Sequence, residues 1–468
     1  MLQNVSKYYK NIIYISIISS LTLIIYLYNV NSKSRNQFEN FLLSQNNFIP
    51  DYSDSELSQI PKPEHPHMGT FQNNFMTLDP ELGYVPSNRL KEAFIETRRI
   101  QNNHQGERLI NWSNINSNMG GRTRAIMYDP NSANFQKVWA GGVSGGLWYN
   151  NDIYNLNSLW EPVNDFWDNL SVTAIVYDPN NSNIFYVTTG EANTAIVTYR
   201  ESSARGVGIW KTIDGGQNWE LLESTFDFEY ITDIAIKNNL GTSEIYASVA
   251  SGTYQGQDHQ SQPSDGLYKS IDGGLSWEQV LPNIIGLDVP YTPSDIEISS
   301  SGKIFVGTMK NLEGEGGATI LSSTTGSIDS WEVNQDYKLL IETDNSYNIP
   351  GRVILSSCKN NPNYIYAIIG SGYINNMGFN LSYGNYMIKS VDNGYNWSQI
   401  NLPANEGNEW ASLAWHALGL KVHPDNPSIV FAGGLELYRT TNGGNSWNDL
   451  SEWNLMYSGG GDRYIHAD

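Results

Sequence analysis

Two arginines, Arg122 and Arg124, stand one residue apart in "GGRTRA", where a strand-like run begins. Period-two alternation puts both on one side of a strand, and two guanidinium forks there suit a carboxylate or a phosphate. The same pair equally suits an acid of the chain itself. Glu191 follows a strand in "TTGEAN", where a connecting loop begins. It could serve as a general acid, as a ligand or ion contact, or as a carboxylate tying down its own loop. His466 and Asp468, in the closing "YIHAD", could join His416 or His423 around a metal. Those spacings match no compact metal-ligand pattern, so no metal and no other cofactor is expected. Cys358, the single cysteine, sits in "RVILSSCKNN" and reads as a buried thiol. No Walker-type phosphate loop and no HExxH occurs, and no catalytic residue is assigned.

The charge balance narrows the field. With 27 basic against 48 acidic residues the net charge is −21, a surface that repels phosphate backbones, so no nucleic acid is expected as a partner. Forty-two glycines and 12% aromatic residues, with few long helical patterns, point to an all-β chain with tight turns.

Three segments differ in character. Residues 1–30 hold an uncharged apolar run, 12–28, after Lys7 and Lys10. It reads as a membrane anchor or signal segment that takes the chain out of the cytoplasm, to the cell envelope, the cell surface or the medium. The absence of an Ala-x-Ala-like site after it favours an uncleaved anchor. Residues 31–108 form a polar stalk, with an extended spacer in "PKPEHPHMG" and one helix between Ser87 and Asn103. Ser87 or Asn88 can cap that helix, and Leu90, Ala93, Phe94 and Ile100 give it a partial apolar face. Residues 109–468 are period-two strands broken by turns.

A nine-residue phrase recurs in the third segment. It comprises Thr212, Asp214, Gly216 and Trp219; then Ser270, Asp272, Gly274 and Trp277; then Ser390, Asp392, Gly394 and Trp397; then Thr440, Asn442, Gly444 and Trp447. Weaker copies lie around Asp152 and in "ILSSTTGSIDSW", giving six at roughly 50–65 residues apart. The Asp can accept backbone N–H groups of the following turn, the Gly supplies positive φ, the hydroxyl bonds the same loop and the Trp packs beside it. The phrase is therefore structural. A second turn, Asp-Pro-Asn or a variant, precedes most copies, as in "TRAIMYDPNSANFQKVWAGG". Each unit then offers four short antiparallel strands, the arithmetic of a β-propeller. "YSGGGDRYIHAD" reads as the start of a seventh, truncated unit.

These phrases resemble Asp-box (bacterial neuraminidase) repeats, shared by sialidases, xyloglucan-cleaving glycoside hydrolases and sortilin-type receptors. From Thr77 onward the chain resembles exported Bacteroidota proteins with sortilin-like propellers. The residues that carry this are "TLDPELGYVPSNRL", "GGRTRAIMYDP", "WAGGVSGGLW", "TTGEAN", "RGVGIWKTIDGGQNW" and the terminal "YIHAD". The resemblance implies, for a sialidase, an Arg-Ile-Pro-type phrase that is missing here. For a xyloglucanase it implies a catalytic Asp where this chain has Val143. The expected function is a binding or interaction module for a polypeptide or a glycan. Arg122, Arg124, Glu191, His466 and Asp468 are the candidate contacts, and no carboxylate pair at a glycosidase's spacing, roughly 6.5–9.5 Å for inversion or about 5 Å for retention, is expected in the channel. The alternative is a glycoside hydrolase of the sialidase or xyloglucanase type.

Overall fold

The computed structural model describes residues 33–41, 44, 53–57, 59, 75–84, 86, 89, 92–93, 96–97, 99–100 and 122–455, without 165–166, 168, 193–203, 255–256, 379, 404–408 and 453–454. The apolar run at 12–28 and the residues His466 and Asp468 lie outside these. The chain divides into two units, Met1–Asn111 and Trp112–Asp468.

In the first unit, Asp79 of the "TLDPELGY" phrase organises a turn. Its carboxylate accepts the backbone N–H groups of Glu81 and Leu82 and pairs with Arg35 at 2.9 Å and Arg89 at 3.3 Å. Residues 92–93, 96–97 and 99–100 are helical, in the stretch read as a helix. Ala93 and Ile100, two positions assigned to its apolar face, are exposed. No described helix is long and apolar enough to cross a membrane.

The second unit is a six-bladed β-propeller, each blade a four-stranded antiparallel sheet. Blade 1 has β1 (Thr123–Tyr128), β2 (Val138–Gly142), β3 (Gly146–Asn150) and β4 (Trp160–Pro162); blade 2 has β5 (Val172–Asp178), β6 (Asn181–Thr189), β7 (Ile209–Thr212) and β8 (Glu220–Leu221). Blade 3 uses β9 (Tyr230–Asn239), β10 (Thr242–Ala250), β13 (Gly266–Ser270) and β14 (Glu278–Gln279), with a ribbon of β11 (Gly252–Tyr254) and β12 (Gln257–His259) inserted between its second and third strands. Blade 4 has β15 (Thr292–Ile298), β16 (Ile304–Met309), β17 (Ile320–Ser323) and β18 (Glu332–Asn334); a helix, Asp336–Glu342, follows it. Blade 5 has β19 (Ile349–Cys358), β20 (Asn361–Ile374), β21 (Asn380–Ser390) and β22 (Ser398–Ile400), and blade 6 has β23 (Gly419–Val422), β24 (Val430–Gly433), β25 (Leu437–Thr440) and β26 (Asn448–Asp449).

Up-and-down order puts the first and third turns of every blade at one end of the propeller. The second turns and the blade-to-blade connections lie at the other. The Asp-Pro turns are first turns, held by the aspartate itself: Asp129 accepts the N–H of Asn131 at 2.9 Å and Asp178 that of Asn180 at 2.8 Å. The recurring phrases are third turns. Thr212 Oγ1 donates to Asp214 Oδ1 at 2.7 Å and accepts the Gly216 N–H; Asp214 Oδ1 also takes the N–H groups of Gln217 and Asn218. Asp272 and Asp392 repeat this, and Asn442 reproduces it with an amide oxygen, accepting from Thr440 at 2.9 Å and from Ser446 N–H at 2.9 Å. These bonds hold the Asp214 and Asp392 carboxyls down at about 2.

The glycines of these turns have a second reason to be glycine. Gly216, at φ +89°, lies directly on the Trp139 indole of the preceding blade, and Gly274, Gly394 and Gly444 lie likewise on Leu222, Phe305 and Ile400. Each turn thereby seals one interface between blades. Separate apolar clusters fill these interfaces, from Trp139, Phe185 and Trp210 between blades 1 and 2 to Tyr366, Met387 and Val430 between blades 5 and 6. Cys358 belongs to the last of these; its thiol is buried and donates to the carbonyls of His423 and Pro424.

The innermost strands share one irregularity. Register shifts place a bulge at the entry end of β1, β5, β9, β15 and β19, holding Arg124, Thr173, Thr232, Ser294 and Arg352. An innermost strand has an unpaired edge, and its polar groups need partners. The bulge residues supply them. Thr173 donates to the carbonyl of Ile231 at 2.6 Å, Thr232 to that of Pro293 at 3.0 Å and Ser294 to that of Val353 at 2.7 Å, each in the next blade. Arg352 donates to the carbonyls of Ala414 and His416, just before β23.

Candidate functional site

Three of the residues singled out in the sequence come together where the first two blades face the channel. Arg124 Nε and Nη2 both donate to Glu191 Oε2, at 3.0 and 2.7 Å, and Arg122 Nη2 lies 3.7 Å from the same oxygen. Glu191 is buried, and the remaining fork of Arg124 donates to the His416 carbonyl at 2.8 Å. Arg124 thus binds an acid of the chain and a carbonyl of the chain. Arg352 approaches from the fifth blade and feels both arginines. Burial, then their charge, brings its guanidinium down to about 9.

Beside this cluster a cavity of about 260 Å³ opens at the end of the propeller opposite the recurring turns. Its walls are strand ends and the loops beyond them: Ser251 to Thr253 after β10, Met309 to Leu312 after β16, and Ile349 to Arg352 at the start of β19. Gly372, Asn380 and Ser382 from β20 and β21, with Ala192 and Trp415, complete it. The volume is just below the range of about 300–1,000 Å³ usual for small-molecule sites. Among the described residues, Lys310 and Arg352 are its charged lining residues, and no Asp or Glu lines it. Next to it, where β20 and β21 run to the same end, Tyr347, Tyr373 and Tyr383 form an aromatic cluster. The rings of Tyr373 and Tyr383 are stacked with centroids 6.3 Å apart, and Tyr347 stands edge-on to both. Burial and the neighbouring tyrosines push the Tyr383 hydroxyl up to about 12.

Two carboxyls do converge, in direct contact rather than at the spacing a glycosidase needs. Asp233 of β9 and Asp295 of β15 are hydrogen-bonded to each other, and both are enclosed by protein while lining the narrow bore. Burial raises both carboxyls, Asp233 to about 6 and Asp295 well above the carboxylate range. Each also has a structural task. Asp233 accepts the N–H groups of Ile234 and Ile296, and Asp295 that of Leu355, so each satisfies an edge amide of the next blade. Direct contact leaves no room for the water that an inverting glycosidase places between its carboxyls, or for a sugar between acid and nucleophile.

The other sequence positions are accounted for individually. Val143, buried, donates its N–H to the carbonyl of Arg122. "GVSGG", Gly142 to Gly146, spells Gly-x-Ser-x-Gly, yet it joins β2 to β3 in a hairpin and opens no helix, so it is no nucleophile elbow. His423 accepts the N–H of Asp425 within its own turn. Among the described residues no three His, Cys, Asp or Glu converge as metal ligands.

Lys310, Arg352, Trp415 and the aspartate pair were not singled out in the sequence. A signal for three of them exists in the repeat. Aligned by blade, the inner strands begin Arg124-Ala125-Ile126, Thr173-Ala174-Ile175, Thr232-Asp233-Ile234, Ser294-Asp295-Ile296 and Arg352-Val353-Ile354. That column sets Arg352 in the phase of Arg124, and Asp233 beside Asp295.

The sequence matches no protein-family model and no curated protein sequence. Solved structures similar to it include an ancestral GH74 enzyme, at 19% identity and TM-score 0.49 over 74% of this chain and 40% of that one. The GH74 enzyme of Niastella koreensis matches at 17% identity and TM-score 0.39, over 70% of this chain and 54% of its own. YCF48 bound to D1 peptide matches at 15% identity and TM-score 0.42, over 70% and 82%. This chain therefore spans about half or less of the two GH74 enzymes' length.

Proposed function

We propose that the propeller is a ligand-binding module, its ligand a glycan or a polypeptide held in the cavity at the mouth of the channel. One observation carries this reading: the described residues that line the cavity offer cations, hydroxyls, amides and an indole, and no Asp or Glu is among them. Hydrolysis of a glycoside needs two carboxyls on opposite sides of the scissile bond. The carboxyls that do converge, Asp233 and Asp295, are bonded to each other. Arg122, Arg124 and Glu191 act here as the charged floor beneath the site. The likeness to Asp-box proteins, which include both hydrolases and receptors, is compatible with a module of this kind, and the uncharged run at 12–28 supports its export and anchoring.

The test uses the full chain against a glycan array and a peptide library, with hydrolysis assays on xyloglucan and sialosides in parallel. Saturable binding without turnover is expected. Turnover of either substrate that survives purification and is lost in Asp233→Asn would sink the reading in favour of a glycoside hydrolase.

A further inference from the structure

We infer that the cavity takes an acidic saccharide, the side chains of Lys310 and Arg352 meeting an anionic group on the sugar and the amide, hydroxyl and indole groups around them meeting its ring. This rests on the binding-module reading above and gives the ligand its chemistry.

Charge is the first argument. In a chain of net charge −21, the described residues lining the cavity include two cations and no acid. Lys310 differs from the other described lysines of the second unit that are buried or half-buried; Lys359 and Lys421 are exposed. Lys137, Lys269, Lys303 and Lys338 each meet a carboxylate, while Lys211, Lys237 and Lys389 donate to carbonyls. Lys310 has no such partner among the described residues, and burial alone acts on its ammonium, lowering its pKa. A desolvated ammonium without a counter-charge is costly, and an anion in the cavity relieves that cost. The floor has the same sign: Arg122, Arg124 and Arg352 gather around the single carboxylate of Glu191.

Hydrogen-bonding capacity is the second argument. The side chains of Asn380 and Ser382 line the cavity, and neither is engaged by a described protein group; nor is the indole N–H of Trp415. An open amide, a hydroxyl and an indole suit sugar hydroxyls and a sugar face.

The decisive measurement is calorimetric titration of the full chain with oligomers of galacturonate, mannuronate and glucuronate. Their methyl esters, a sulfated galactan oligomer, a neutral xyloglucan oligomer and an acidic peptide complete the panel. At least one uronate or the sulfated oligomer should bind, more weakly as salt rises. Esterification and Lys310→Met should each weaken the uronate about tenfold or more, and Lys310→Arg should restore most of it. Preference for the sulfated oligomer supports the acidic saccharide with a sulfate as its anion. Equal binding of ester and acid, indifference to Lys310→Met, or binding confined to the neutral glycan or the peptide overturns the inference while leaving the module intact. Failure of every ligand here and on the arrays counts against the module itself.

Discussion

Arg124 and Arg352, on the innermost strands of the first and fifth blades, donate to the same acceptor, the carbonyl of His416, at 2.8 and 2.6 Å. One peptide oxygen thus ties together residues far apart in the chain. It sits at the edge of the cavity, next to Trp415. The binding site and the framework of the propeller are therefore built from the same groups, and substitutions there report on both.

Arg124→Met should be costly. It takes two donors from the buried Glu191 carboxylate and one from the His416 carbonyl. A loss of about 3 kcal/mol is expected, read as a lower urea midpoint. Adding Glu191→Gln should recover part of it. A double variant no better than the single one would mean that the ion pair is not what Arg124 provides.

The recurring turns distinguish oxygen from charge. Asp214→Asn should leave the melting temperature nearly unchanged at neutral pH, because Asn442 already forms the same bonds from an amide oxygen. Asp214→Ala should lower it by about 2–4 °C. With the Asp214 and Asp392 carboxyls held at about 2, their contribution is fully present above the ordinary carboxyl pKa and is lost as pH falls from about 4 towards 2. Acid titration of the wild type and of Asp214→Asn should diverge in that window and nowhere above it.

The aspartate pair titrates the other way. Both carboxyls are raised in the folded protein, Asp233 to about 6, so the fold holds a proton that the unfolded chain has released. Stability from this pair is greatest below about pH 4, falls as pH rises through about 6 where Asp233 ionises, and goes on falling above that as Asp295 does. Asp233→Asn retains an acceptor for Ile296 N–H and gives Asp295 a permanent donor. It should therefore stabilise the protein above pH 6 and have little effect at pH 4. Equal stabilisation at both values would refute the shared proton.

Two glycines separate backbone conformation from packing. Gly216 and Gly241 have nearly the same φ, +89° and +90°, but a methyl group meets the Trp139 indole at the first and open space at the second. Gly241→Ala should cost about 1 kcal/mol from backbone strain alone. Gly216→Ala should cost about 2 kcal/mol more, by forcing the first and second blades apart. Equal costs would show that the turn does not seal the interface.

The blades were legible in the sequence because their signals are local. An Asp-Pro-Asn turn or a Ser-x-Asp-x-Gly turn is completed within a few residues, so spelling and structure nearly coincide. Even the degraded copies, around Asp152 and Gly326, fall on third turns. The site was legible only in part. Arg122, Arg124 and Glu191 stood out as isolated charges at strand ends, but their meeting depends on how two blades are set side by side. Lys310, in "TMKNLEGEGG", is marked by nothing local. Its significance comes from the lack of a carboxylate partner among the described residues, which only the folded chain reveals.

The bulge residues have a direction. Thr173, Thr232, Ser294 and Arg352 all reach forward, each to a carbonyl of the segment that follows in the chain. A blade emerging during synthesis therefore finds its predecessor already presenting a donor, and docking the new blade satisfies the old one. Arg124 is the exception, since the carbonyl it takes arrives last. The assembly runs like a zipper whose first tooth stays open until the final one comes round to meet it.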